Sequence, residues 1–394
     1  MIQPFSFAAT PQIHFGVGAR HQLVELIGGD NTRLLIVTGG GSLMRAKPGR
    51  ALLETLEQHF YCNHCQVSGE PSPACVDQLV REYHPLGIDC VVAIGGGSCM
   101  DAGKAIAGLL PSGDSVMDYL EGVGAGKTFR PPTTPFIAVP TTAGTGSESS
   151  NNAVLSMVGE SGFKKSFRHH ALAARHIVLD PELTLSCPPQ VTAACGMDAL
   201  TQLIESYLSR RASPLTDALV MSALPPLLHA LPRAVEHGSD LDARTSMLYG
   251  ASISGLTLAN AGLGSVHALA SPIGAFSSMP HGQACGALLY DACRLNIEWL
   301  NQHDPANTAL TKYATIGRML RGGTALLDDQ AAREQLLTTL KAWSQRFGMP
   351  RLSDYGFSEA DIPRLIDNAS PGSLRTNPVE MSRDALATLI RARL

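Results

Sequence analysis

Three stretches between residues 33 and 149 share one local grammar, an apolar run of strand length that ends in small, turn-forming residues. They are RLLIVTGGGS (33–42), DCVVAIGGGS (89–98) and TPFIAVPTTAGTGSES (134–149). Helix-like segments, ALLETLEQHF (51–60) and MDAGKAIAGLL (100–110), follow the first two, and HIVLDPEL (176–183) closes the series. Runs that are apolar throughout, not alternating, suit strands covered on both faces. This part therefore predicts a parallel sheet with helices on both sides. Beyond about residue 185 the strand-like runs stop. DALTQLIESYL, TDALVMSALPPLLHALPRAVEHG and ARTSMLYGASISGLTLANAG all space their apolar residues as helices do. The expected architecture is an α/β dinucleotide-binding domain over 1–185 and an all-helical domain over 186–394.

Composition narrows the function. Apolar residues make up 44% and charged residues 16% of the 394, which suits a soluble globular chain with a generous core. A net charge of −4 and the absence of a Lys/Arg cluster exclude a nucleic-acid partner. MIQPFSFAATPQIHF has neither a basic start nor a long apolar core, so no secretory signal is expected. With no run of roughly 18 apolar residues, no membrane span is expected either. Nine cysteines, scattered except for Cys62-Asn-His-Cys65, fit the reducing cytoplasm. The C-x-x-C pair reads as ordinary small buried residues.

The strand ends carry the chemistry. GGGSCMDAGKAIA (95–107) follows a strand and opens a helix. Its glycines let a diphosphate approach the backbone, and the helix start offers N–H groups with positive partial charge. It is not the G-x-G-x-x-G fingerprint. In PTTAGTGSESSNNAV (140–154), Thr141, Thr142, Thr145 and Ser147 set hydroxyls among glycines. Two such loops would meet at the carboxyl edge of the sheet, where α/β proteins bind ligands. In the second half, GLGSVHALASPIGAFSSMPHG (262–282) is small and apolar, yet it carries His267 and His281.

The ordered set GGGSxxDxxK, TTAGTGSE, DAxxxxIE and VHAxAxxxG…PHG resembles the iron-containing alcohol dehydrogenase family and its glycerol dehydrogenase and dehydroquinate synthase relatives. The likeness runs from IHFGVGAR (13–20) to RTNPVEMSRDAL (375–386). It implies hydride transfer between a nicotinamide cofactor and a small alcohol, aldehyde or ketone. It also implies an active site in the cleft between the halves, and a homodimer or larger homo-oligomer. By that resemblance Gly96, Gly97 and Ser98 hold the pyrophosphate, with Asp101 near the ribose. Thr141, Thr142, Thr145 and Ser147 line the cofactor cleft, Val154 packs beside it, and Lys164 contacts the cofactor. Asp198, His267 and His281 match metal ligands and would be the catalytic centre. One carboxylate and two imidazoles suit Fe2+ or Zn2+.

Three departures matter. Many NAD-dependent members have an aspartate after the second strand, whereas Gly39, Gly40, Gly41 and Ser42 stand here, with Arg45 and Lys47 beyond. No acid repels a 2′-phosphate, so NADP(H) is expected over NAD(H). The usual second metal ligand, four residues after the aspartate, is Gln202, a weak ligand or a neighbour of the true ones. Ser271 stands where similar sequences have a histidine beside the nicotinamide, and serine is a poor proton acceptor without a base. Alternatives remain at this point: a metal-independent reductase resembling maleylacetate reductases, a non-redox dehydroquinate synthase-like lyase, or a degenerate cofactor-binding protein.

Overall fold

The computed structural model describes residues 4–8, 10–29, 31–320 and 327–394. Eight strands form in the first half: β1 (Gln12–Phe15), β2 (Arg33–Thr38), β3 (Tyr61–Gln66), β4 (Cys90–Gly95), β5 (Phe136–Pro140), β6 (Asn152–Met157), β7 (Phe163–Arg168) and β8 (His176–Leu179). Six of them build one sheet in the order β1-β8-β5-β4-β2-β3, every neighbouring pair parallel. The helices between them are α1 (Leu23–Ile27), α2 (Ser42–Arg45), α3 (Lys47–His59), α4 (Pro73–Tyr83) and α5 (Gly97–Leu109). Parallel strands need crossovers, and these helices cover both faces. β4 is buried along its whole length and β2 at Leu34, Leu35, Ile36 and Val37, as unbroken apolar runs require.

β3 and the antiparallel hairpin β6–β7 do not announce themselves in the sequence. β3, YCNHCQ, lies at the sheet edge with mixed burial, so its polar residues face outward. β6 begins at Asn152, inside the stretch expected to be loop, and pairs with FKKSFR from Asn152↔Arg168 to Met157↔Phe163. The hairpin is stabilised by pairing that forms only once the two segments meet. Cys62 and Cys65 are free thiols on β3.

From Pro189 onward every regular element among the described residues is helical. These are α6 (Pro189–Leu208), α7 (Pro214–Glu236), α8 (Leu241–Ala261), α9 (Ser265–Phe276), α10 (His281–His303), α11 (Thr308–Met319), α12 (Asp329–Arg346), α13 (Ile362–Asp367), α14 (Pro371–Thr376) and α15 (Arg383–Arg391). α7 is long and apolar enough to cross a membrane by length and composition only, and it holds no unbroken apolar run of that length. Here it is a core helix, with Val220, Leu224, Leu227, Leu228 and Leu231 buried among α6, α8 and their neighbours. Pro225, Pro226 and Pro232 lie inside it.

The two halves touch through the segment after β5. Ser149 Oγ and Ser252 Oγ of α8 are 3.0 Å apart, and Leu248 of α8 joins the core on one face of the sheet. A Cβ on Gly255 would come within 2.1 Å of the Gly146 carbonyl oxygen, so only glycine permits this approach.

Candidate functional site

Three loops meet at the carboxyl edge of the sheet, one after each of β2, β4 and β5. The Thr141 N–H donates to Gly95 O at 2.8 Å. A side chain on Gly95 would reach Gly39 N at 3.2 Å, and one on Gly97 would strike Thr145 Oγ1 at 2.6 Å. Gly96 lies against Thr142, whose Oγ1 is 3.4 Å from the position of an added Cβ. The N-terminus of α5 opens into this corner without a side-chain cap, leaving its positive end for a ligand. Gly39 and Gly40 border open space, and Gly41 lies under the Arg45 guanidinium, 3.1 Å from the site of a Cβ. The side chain of Ser42 lies outside the described residues.

Asp101 of α5 faces the β5 loop. Its Oδ1 accepts from Ser147 Oγ at 2.6 Å and lies 3.5 Å from Lys104 Nζ. Lys104 is fully buried and donates to Ser147 O at 2.7 Å and Ser150 Oγ at 3.0 Å, as well as to Asn152 O. The lysine of the GGGSxxDxxK pattern thus fastens the loop to the start of β6, bringing Val154 alongside. Lys164, on β7, pairs with Glu70, whose other oxygen accepts from Ser156 Oγ at 2.5 Å. The lysine stem lies along α9, with Nζ 3.7 Å from where a Gly274 Cβ would be.

The second cluster sits on α6, α9 and α10. Asp198, Gln202 and Glu205 fall at i, i+4 and i+7 on one buried stripe of α6. His267 enters from α9, and His281 and Cys285 stand one turn apart on α10. Two glycines let these helices close in. A Cβ on Gly282 would come within 2.4 Å of Ala194 O, and one on Gly264 within 2.8 Å of Glu205 Oε1.

His267 Nδ1 donates to Glu205 Oε2 at 2.7 Å, while Glu205 Oε1 accepts the Val266 N–H at 2.8 Å. That fixes the ring and turns Nε2 toward Asp198 Oδ1, 3.2 Å away. His281 Nε2 is 3.8 Å from the same oxygen. Asp198 is 1% exposed, and its Oδ2 has no hydrogen-bond partner among the described residues; nor does His281 Nδ1. Burial pushes the Asp198 carboxyl up, but His281 and His267 outweigh it and hold it at about 2. Burial also pushes His267 down, yet its partners, including Asp198 and Glu205, carry it well above the usual histidine range. Burial, with Lys164 and His267 nearby, takes His281 down to about 4 although Asp198 opposes the shift.

Gln202 turns its amide NH2 to Asp198 Oδ1 at 3.0 Å and accepts from Ser254 Oγ at 2.6 Å. The orientation follows from the carboxylate, because an amide oxygen there would face another acceptor. Gln202 thereby orients Asp198 and presents no oxygen to the centre of the cluster. Ser271 is half-buried on α9, where its hydroxyl lies 3.4 Å from the His267 carbonyl. Asp198, His267, His281 and Cys285 each offer one donor atom, all within 4.8 Å of one another, which fits a small divalent cation. The unpartnered Asp198 oxygen points the same way.

Sequence reasoning missed two members of this cluster. Glu205 stood in the DAxxxxIE motif without a role, and its signal was the seven-residue spacing from Asp198. Cys285 carried the weaker signal of lying four residues after His281.

Residues 10–181 match the family described as iron-containing alcohol dehydrogenase, and residues 192–394 its C-terminal part. The chain is 33% identical to long-chain-alcohol dehydrogenase 1 of Geobacillus thermodenitrificans, over 91% of this chain and 88% of that one. A solved 1,3-propanediol oxidoreductase superposes with a TM-score of 0.88 at 30% identity, covering 100% of both chains. Sulfoacetaldehyde reductase of Bifidobacterium kashiwanohense, solved with NAD+, superposes at 0.83 with 28% identity and 99% of each chain.

Proposed function

Since the chain belongs to the iron-containing alcohol dehydrogenase family, and is an alcohol–aldehyde oxidoreductase of a family that works with a nicotinamide cofactor and a divalent metal, we propose that it prefers NADP(H) to NAD(H) and works on small alcohols, aldehydes or ketones with a divalent ion in the helical cluster. The observation that carries the cofactor preference is the Arg45 guanidinium lying over Gly41, with no acid between Gly39 and Lys47. A 2′-phosphate gains charge-assisted hydrogen bonds there and meets no carboxylate.

The pyrophosphate lies at the start of α5, on Gly96, Gly97 and Ser98, with Thr141, Thr142, Thr145 and Ser147 closing the other side. Asp101 acts by holding Ser147. Val154 and Lys164 border the nicotinamide end, where Glu70 fixes the ammonium. Asp198, His267 and His281 hold the ion, and Glu205 and Gln202 orient two of them. The bound ion supplies Lewis-acid polarisation of the carbonyl. The small, apolar surroundings of His267 and His281 keep water from the reacting atoms. Ser271 cannot accept a proton unaided at neutral pH, so it would not by itself relay the proton, and water or His281 is left to do so. The chain divides functionally into 1–185 and 186–394, acts in the cytoplasm, and forms a homodimer or larger homo-oligomer.

The test is cofactor oxidation against a panel of small aldehydes, with NADPH and NADH in parallel and with chelated and Zn2+- or Fe2+-replenished enzyme. Arg45→Ala should lower kcat/KM for NADPH by about ten- to a hundredfold, the worth of one hydrogen bond to a charged group, and leave NADH nearly unchanged. Equal use of both cofactors by the unaltered protein overturns the preference. Activity indifferent to chelator overturns the metal, and favours the metal-independent reductase reading.

A further inference from the structure

We infer that the Cys285 thiolate is a fourth ligand to the ion, alongside Asp198, His267 and His281, and that this donor set selects Zn2+ over Fe2+. The inference rests on the metal-assisted reading above, in which the substrate oxygen would then add to the ion as a fifth ligand.

Geometry carries it first. Cys285 Sγ lies 3.6 Å from His267 Nε2 and 3.7 Å from His281 Nε2. Around a tetrahedral zinc with bonds of about 2.05 Å to nitrogen and about 2.3 Å to sulfur, an N···S edge is about 3.6 Å. For two ligands at about 2.05 Å the edge is about 3.3 Å, and Asp198 Oδ1 stands 3.2 Å from His267 Nε2 and 3.8 Å from His281 Nε2. Three of these edges lie close to what such an ion needs, all four donors fall within 4.8 Å of one another, and helix α10 supplies two of them from consecutive turns.

Charge is the second argument. Cys285 and Asp198 are 0% and 1% exposed. A thiolate would set a second anion, beside the Asp198 carboxylate, in direct contact with the buried ion. The ion displaces one proton from sulfur to solvent as it binds. Glu205, the other buried carboxylate of the cluster, would reach the ion only through His267.

The third is the neighbour that does not ligate. Gln202 stands one turn after Asp198, but its amide oxygen accepts from Ser254 and its NH2 faces Asp198. The donor missing from α6 is replaced from α10. Thiolate is a softer ligand than imidazole or carboxylate, which moves preference toward zinc and away from ferrous iron.

The test is optical. Metal-free full-length protein is loaded with Co2+, and its absorption is compared with Cys285→Ser and with Cys293→Ser, a second buried cysteine of α10 outside the cluster. The expected result is a thiolate-to-cobalt charge-transfer band in the near ultraviolet. It persists in Cys293→Ser and vanishes in Cys285→Ser. Zn2+ affinity, read by competition with a chromophoric chelator, falls more than about tenfold in Cys285→Ser. Cobalt bound at one per chain without that band overturns the thiolate ligand and leaves the metal reading standing. Cobalt not bound at all overturns both. The unaltered protein's spectrum decides the matter even if Cys285→Ser does not fold.

Discussion

The two candidate binding regions, at the sheet edge and in the helical cluster, are built by opposite means. At the sheet edge the candidate groups are backbone and short hydroxyls, on loops where an added Cβ at Gly95 or Gly97 would strike a neighbouring residue. In the helical cluster it falls to long side chains, whose charge is buried and whose every angle is set by packing. The first site tolerates any residue that leaves room and N–H groups. The second tolerates no lost partner, since an unpaired buried charge is costly. The same contrast explains where each is fragile: the sheet edge to added volume, the helical cluster to removed charge.

The sharpest test of that contrast is Asp198→Asn. It keeps the shape and removes the anion shared by His267 and His281, so kcat should fall by at least about a hundredfold, the loss of several kcal/mol of charge stabilisation. NADPH affinity, measured by fluorescence titration, should stay within about twofold if the regions bind independently. A parallel loss of cofactor binding would break the comparison. Next is Glu205→Gln, which keeps the contact to the Val266 N–H but weakens the hold on His267. Metal affinity in chelator competition should drop by about ten- to a hundredfold, with cofactor affinity unchanged. The counterpart at the sheet edge is Gly97→Ala. Its methyl meets Thr145 Oγ1 at 2.6 Å, so KM for the cofactor should rise and stability fall by about 1–3 kcal/mol, with kcat at saturation little affected.

The smallest effect belongs to the seam. Glu148 is 3% exposed, its Oε1 lacks a partner among the described residues, and burial pushes it up to about 7 from 4.5. A carboxyl with a raised folded pKa binds more protons folded than unfolded. Stability should therefore decline as pH rises from about 4.5 to about 7, and level off above that. Glu148→Gln should flatten this part of the curve, giving a gain in Tm at pH 8 that is absent at pH 4.5. An unchanged pH profile would show that Glu148 is not the titrating group.

Most of the fold was legible because its signals are local. β2, β4 and β5 are continuous apolar runs, and the glycines that end them sit where the loops turn. β3 was missed because an edge strand keeps polar residues on its open side. The β6–β7 hairpin was missed because only Phe163 and Phe167 of FKKSFR face the core, with a lysine between them on that face, an alternation too broken to read as a strand. Asp198, His267 and His281 could be picked out by motif. Glu205 lay in the same motif as Asp198 and Cys285 one turn after His281, but helical spacing alone does not tell a partner of the cluster from any other residue on a buried helix face.

What the sequence determined by itself is the alternation that builds a parallel sheet, the small residues at its carboxyl edge, and the helical character of the regular elements described from Pro189 onward. These follow from periodicity and from the backbone freedom of glycine, properties of neighbours in the chain. Only the tertiary structure decided which side chains share the metal corner. Asp198 and His267 are 69 residues apart, and Gln202 and Ser254 are 52. Whether such residues meet depends on how closely α6, α9 and α10 pack, and that is fixed by the shape of the whole helical core, where Gly264 and Gly282 leave no room for a methyl group.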